Sequence, residues 1–105
     1  MIIARTRKDL NKTLQQFSQK PGKLALIPTM GNLHDGHLSL IRLAKLNAVK
    51  TIATIFVNPL QFGKNEDYSK YPRTEKVDIQ KLTKEKCDIL FIPIDKMKYF
   101  QKMKI

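Results

Sequence analysis

The two histidines of this 105-residue chain stand three positions apart, in His34-Asp35-Gly36-His37. That spacing is close to one helical turn, so a helix beginning here sets both imidazoles on one side of its first turn. The first turn also carries N–H groups without intrahelical partners and the positive end of the helix dipole. Imidazoles beside such a helix start suit an anion, and phosphate is the natural guest. Gly36 removes a side chain where a ligand approaches the backbone, while Gly31 and Asn32 supply the permissive conformations of a tight turn. Thr29 and Met30 are expected to line the pocket floor. The plain alternative is that two polar aromatics only cap a helix. A metal site needs a third ligand; Asp35 points away at the helix start and Cys87 is far along the chain, so no metal site is expected.

Further along, Asn58 and Gln61 flank Pro59 at the end of a β-branched run. Uncharged amides there can bind a hydroxyl and a carboxylate, although Asn-Pro also serves simply to end a strand. Cys87 has no neighbouring base and is expected to be a buried structural thiol rather than a nucleophile. Tyr71-Pro72-Arg73-Thr74 forms a turn and helix cap, or else presents Arg73 to a phosphate or a partner; the residues leave both open.

These side chains need elements to hold them. Leu10, Leu14 and Phe17 recur at helical spacing within residues 6–20, opened by a capping-box-like Thr6-Arg7-Lys8-Asp9 and stopped by Pro21-Gly22. Lys23 to Ile27 reads as a buried strand, and Thr29 to His34 as a loop. A second helix is expected from Asp35, its N-cap, to about Asn47, with Leu38, Ile41, Ala44 and Leu46 as its apolar positions. Lys50 to Val57 is the next strand, followed by a polar loop to Pro72. A third helix, from about Thr74 to Lys86, carries the sparse stripe Val77, Ile79 and Leu82; Ile89 to Pro93 is a third buried strand. Strands alternating with helical crossovers predict an α/β fold with a parallel sheet and right-handed connections, half of a doubly wound architecture. Ligands of such sheets bind at the carboxyl ends of the strands. The lysine-rich tail over 94–105 has no clean period and is expected to be helical or frayed.

The size and composition bound the function. One domain fits in 105 residues, and 42% hydrophobic with 28% charged residues is globular usage. No apolar run approaches the roughly 20 residues that cross a bilayer, and Met1-Ile2-Ile3-Ala4-Arg5 lacks a signal-peptide core, so no membrane partner and a cytoplasmic location are expected. A single cysteine fits a reducing compartment. The formal charge of +11 attracts polyanions, yet the basic residues are 16 Lys and 4 Arg spread along the whole length, whereas nucleic-acid readers cluster charge and favour Arg. No specific nucleic-acid partner is expected on that ground.

Three blocks in order, Pro28-Thr29-Met30-Gly31-Asn32-Leu33-His34-Asp35-Gly36-His37, Ile55-Phe56-Val57-Asn58-Pro59-Leu60-Gln61-Phe62 and Tyr71-Pro72-Arg73-Thr74, resemble the pantothenate synthetases, the pantoate–β-alanine ligases. The His-x-Gly-His element alone would mark only the wider nucleotidylyltransferase group; the three blocks together point to this member. The resemblance spans roughly Gly22 to Pro93 and implies a Rossmann-like three-layer half-fold of nucleotidylyltransferase type, truncated relative to longer family members. It makes residues 1–93 the N-terminal part of an ATP-binding domain and residues 94–105 a divergent tail. The implied reaction is ATP-dependent and has two steps: pantoate's carboxylate attacks the α-phosphate to give pantoyl adenylate and pyrophosphate, and β-alanine's amine then displaces AMP. The implied ATP-binding segment is Met30, Gly31, Asn32, Leu33, His34, Asp35, Gly36 and His37, with His37 as proton donor and His34 its partner. Gln61 is the implied contact to pantoate and β-alanine, and Asn58 the residue orienting the loop near pantoate. Mg²⁺ is expected with ATP, and a homodimer is the family expectation.

Family members run on through a Gly-x-Lys-Asp segment, a second glutamine for pantoate, a Ser-Ser-Arg-Asn loop and a smaller C-terminal domain, none of which occurs in this sequence. A three-stranded half-sheet would leave apolar edges uncovered, which predicts self-association or poor solubility. Two other functions fit the composition: a non-catalytic nucleotide-binding remnant, and a basic RNA-associated protein.

Overall fold

Short β-branched and apolar runs separated by helix-length segments can pair in parallel, because each crossover is long enough to return the chain to the same sheet end. The computed structural model describes residues 1–18, 22–47, 50–56 and 74–93. In chain order these form β1 (Ile2–Ala4), α1 (Arg7–Ser18), β2 (Leu24–Thr29), α2 (Asp35–Asn47), β3 (Lys50–Ile55), α3 (Glu75–Lys84) and β4 (Ile89–Phe91). The strands make one sheet in the order β1-β4-β3-β2, and every pairing is parallel.

That order decides the layers. The steps β2 to β3 and β3 to β4 cross the sheet in one direction, and β1 to β2 in the other, so right-handed crossovers place α2 and α3 on one face and α1 on the opposite face. Burial agrees. Ile27, Ala53, Ile55, Leu90 and Ile92 of the sheet share one core cluster with Leu38 and Ile41 of α2 and Leu82 of α3. The alternating positions Ile52, Ile89, Phe91 and Ala4 are buried on the other face. The result is the expected three-layer α/β half-fold.

The helix starts follow local chemistry. The Thr6 hydroxyl accepts the Asp9 N–H at 3.1 Å, as its capping-box position predicts. Arg42 and Glu85 form a two-point guanidinium–carboxylate pair, with both N···O distances 3.0 Å, that ties α2 to the end of α3. Lys45 adds an ammonium hydrogen bond to the Lys86 carbonyl at 2.7 Å.

Several expectations need correction. The sheet has a fourth strand: Ile2–Ala4 is too short to show a period, and its pairing in register with Ile89, Leu90 and Phe91 creates it. Among the described residues β2 is an edge strand rather than a fully buried one, and Leu24 and Leu26, at 48% and 63% exposure, lie on its α1-side face. Leu46, read as part of the apolar stripe of α2, is 83% exposed, since it projects away from Leu38 and Ile41. Val77 of α3 is likewise exposed, while its neighbour Asp78 is buried. The strand expected over Lys50 to Val57 ends at Ile55; Val57 itself lies outside the described residues, as do residues 94–105.

Candidate functional site

β2 delivers its last residue, Thr29, to the carboxyl end of the sheet, paired in register with Ile55. The Thr29 hydroxyl donates to the Thr54 carbonyl at 2.8 Å and accepts the Gly31 N–H at 3.1 Å, so it locks the strand to the turn that follows. Gly31 (φ 83°) and Asn32 (φ 52°) are consecutive left-handed residues, the conformation that glycine and asparagine tolerate best. A Cβ on Gly31 would stand 3.2 Å from both Asp78 Oδ2 and Ile55 Cγ2. Leu33 buries its side chain in the core and so anchors the turn from below. Met30 is half-buried beside it.

α2 then begins at His34, which corrects the expectation that Asp35 is the N-cap. The His34 carbonyl accepts the first intrahelical bond, from the Leu38 N–H at 3.1 Å, and Asp35 is the first helical residue. The two imidazoles complete this cap. Gly36 N–H donates to His34 Nδ1 at 3.0 Å, and His34 N–H donates to His37 Nδ1 at 3.2 Å. This is the reciprocal geometry of a capping box, made with imidazoles where serine and glutamate are the usual pair. Both Nδ1 atoms accept, so in the neutral tautomer that the bonding pattern implies each ring carries its hydrogen on Nε2, at its far edge. The rings lie 4.0 Å apart, centroid to centroid, tilted by 34°. Burial and the neighbouring His34 hold the His37 imidazolium below its usual range, against an opposing pull from Asp78. Two imidazoles are thus held side by side at the positive end of a helix with Nε2 uncommitted among the described residues, an arrangement suited to a phosphate group.

Sequence reading alone missed what holds this turn from outside. Asp78 of α3, only 1% exposed, accepts the Asn32 N–H on Oδ2 and the Leu33 N–H on Oδ1, both at 2.9 Å, and the Thr74 hydroxyl at 3.0 Å. Lys81 reaches the Leu33 carbonyl at 2.8 Å. A signal did exist: Thr74, Asp78 and Leu82 recur every fourth residue on one helical face, and a carboxylate on the face that buries Leu82 needs partners.

Of the other site candidates, Asn58, Gln61 and Arg73 lie outside the described residues. Cys87 is buried as expected; burial pushes its thiol up, and Sγ sits 3.3 Å from the Ile89 carbonyl. A cleft of about 410 Å³ lined by Met1, Ile2, Lys50, Thr83, Lys86, Cys87 and Asp88 opens at the amino ends of the strands, the opposite sheet end from the histidines. It has no part in their chemistry.

Known proteins align with this geometry. The family model "Pantoate-beta-alanine ligase" matches residues 2–105, a wider span than the Gly22–Pro93 stretch that carries the motifs. The chain is similar to the pantothenate synthetase of Rhodopseudomonas palustris (strain BisA53), 49% identical over 98 residues that make up 93% of this chain and 35% of that protein. It is 47% identical over 92 residues to the Caulobacter vibrioides pantothenate synthetase, covering 88% of this chain and 32% of the relative. Among solved structures, the Francisella tularensis pantoate-beta-alanine ligase, complexed with beta-gamma ATP and beta-alanine, superposes with a TM-score of 0.80 and 43% identity over 89% of this chain and 35% of that one. The Thermus thermophilus pantothenate synthetase gives a TM-score of 0.72 at 38% identity, over 89% of this chain and 32% of its own. The chain therefore spans about a third of the length of the relatives it matches. A model match over nearly every residue, with the paired imidazoles at the end of β2 and a parallel sheet that superposes on these enzymes, places the chain in the pantoate–β-alanine ligase family.

Proposed function

We propose that residues 1–93 form the ATP-phosphate and pantoate part of a pantoate–β-alanine ligase site. In this reading pantoate's carboxylate oxygen attacks the α-phosphorus of ATP, the bond to the bridging oxygen breaks, and pyrophosphate leaves. The amine of β-alanine then attacks the acyl carbon of pantoyl adenylate, loses a proton and expels AMP. A carboxylate needs no base to attack, so the histidines act by donating hydrogen bonds to phosphate oxygens as charge builds in the transition state. The observation that carries the reading is the imidazole capping box, which fixes both rings through Nδ1 and leaves both Nε2 atoms without a hydrogen-bond partner among the described residues.

Met30 to His37 is the ATP-binding segment in this proposal, with His37 and His34 as its catalytic pair. Gln61 contacts pantoate and β-alanine, and Asn58 orients the loop beside pantoate. Mg²⁺ enters as the companion of ATP, part of the substrate. Asp78 has both oxygens engaged by N–H and O–H donors, which leaves the exposed Asp35 as the available carboxylate beside the imidazoles among the described residues. Triphosphate oxygens and water are then the ion's main ligands. A homodimer in the cytoplasm completes the proposal; among the described residues no helix is long and apolar enough to cross a membrane.

The test is AMP formation by the purified chain with ATP, Mg²⁺, pantoate and β-alanine. Pantoate-dependent AMP is the expected product, and His37→Ala should lower its rate by about 100-fold or more, the effect of removing one such donor. Turnover equal to that of the variant would reject catalysis by this chain. ATP binding without turnover would mean that these residues bind the nucleotide without catalysing the ligation.

A further inference from the structure

We propose that Asp78, together with Lys81, is a positioning device for the two imidazoles: α3 holds the Gly31–Leu33 turn in the conformation that starts α2 at His34. The proposal rests on the ATP-site reading above for its purpose, but not for its geometry.

Glycine and asparagine tolerate consecutive left-handed conformations but do not enforce them, so the shape of this turn depends on what holds it. Here five backbone groups in and beside the pair have partners among the described residues. Gly31 N–H is held by the Thr29 hydroxyl, Asn32 and Leu33 N–H by the two oxygens of Asp78, the Leu33 carbonyl by Lys81, and His34 N–H by His37. The Asp78 carboxylate is suited to its place because it accepts on both oxygens and donates nothing. An asparagine there would offer one acceptor and one donor, leaving one of the two N–H groups facing another N–H. Asp78 touches neither imidazole by hydrogen bond; it acts through the backbone. The turn it fixes ends at the residue whose ring caps α2.

The experiment compares the full chain with D78N, K81M, K81Q and L82A by NMR. It reads amide exchange at Asn32 and Leu33, the ring-to-ring contact of His34 and His37, and the ATP dissociation constant from the histidine Cε1 protons. In folded D78N, exchange at both amides should accelerate about tenfold or more, the ring contact should disappear, and ATP should bind about tenfold more weakly, the scale of losing hydrogen bonds to a charged group. L82A removes core packing one turn away, so it should lower Tm and leave these three readouts in place. Persistence of the slow amides and the ring contact in D78N overturns the proposal, as does the same loss in L82A. If D78N does not fold, the Lys81 pair decides. Loss of the ring contact in K81M with recovery in K81Q, which restores a donor without charge, supports the device; an unchanged ring contact in K81M overturns it. A wild-type chain that binds no ATP overturns the functional reading, and the exchange and ring-contact readouts still decide this one.

Discussion

Two imidazoles share one helix end here, and the backbone fixes both of them. Each Nδ1 accepts a backbone N–H, His34 from Gly36 and His37 from His34. His37 is the ring whose protonation burial already opposes. Its folded-state value lies below the ordinary 6.5, so between the two values the unfolded chain holds a proton that the folded chain does not. Its contribution to stability is therefore present above the unfolded value and lost as pH falls through the folded one. Urea unfolding at about pH 7.5 and about pH 5.5 should show a larger loss in wild type than in His37→Gln. Gly36 gives a second residue-scale expectation. Alanine is the better helix former by about 1 kcal/mol, yet its Cβ would sit 2.7 Å from His34 Cε1 and 3.0 Å from Nδ1. Gly36→Ala should keep or raise Tm while displacing the His34 ring and weakening ATP binding, a split that thermal unfolding and a nucleotide titration resolve.

At the scale of elements, the site is a joint between one strand, one turn and two helices. The helix period of residues 35–47 and the capping preference of Thr6 were legible because both are local: they depend on neighbours three or four residues away. The turn was legible only as permissive, through Gly31 and Asn32. Its shape is set by α3, more than forty residues further along the chain. Gly31→Ala tests that constraint, since its φ of +83° and its two 3.2 Å neighbours leave no unstrained place for a methyl group. A loss of about 1–3 kcal/mol is expected from chemical unfolding, larger than for alanine at an ordinary exposed glycine.

For the whole molecule, the open edge of the sheet dominates. Leu24 and Leu26 of β2 face the α1 side without cover, and the backbone edge of β2 beyond them has no strand partner among the described residues. The chain is expected to self-associate in a concentration-dependent way, and Leu26→Lys should shift sedimentation toward the monomer without lowering Tm, because Leu26 is 63% exposed in the fold. The motif blocks, the α/β alternation and the buried Cys87 were already determined by residue types and short-range spacing, for which local sterics and hydrophobic burial suffice. Only tertiary structure decided that Ile2–Ala4 is a strand, that β2 is an edge, and that His34 rather than Asp35 caps α2. It also made Asp78, to which the sequence analysis assigned no role, the buried anchor of the turn. For the strand, the edge and Asp78 the deciding contact comes from a distant segment, whereas the His34 cap is made by its own neighbours Gly36, His37 and Leu38. A strand pairing across such a distance leaves no periodic trace along the chain, and the four-residue recurrence of Thr74, Asp78 and Leu82 marks a buried carboxylate without naming its distant partners.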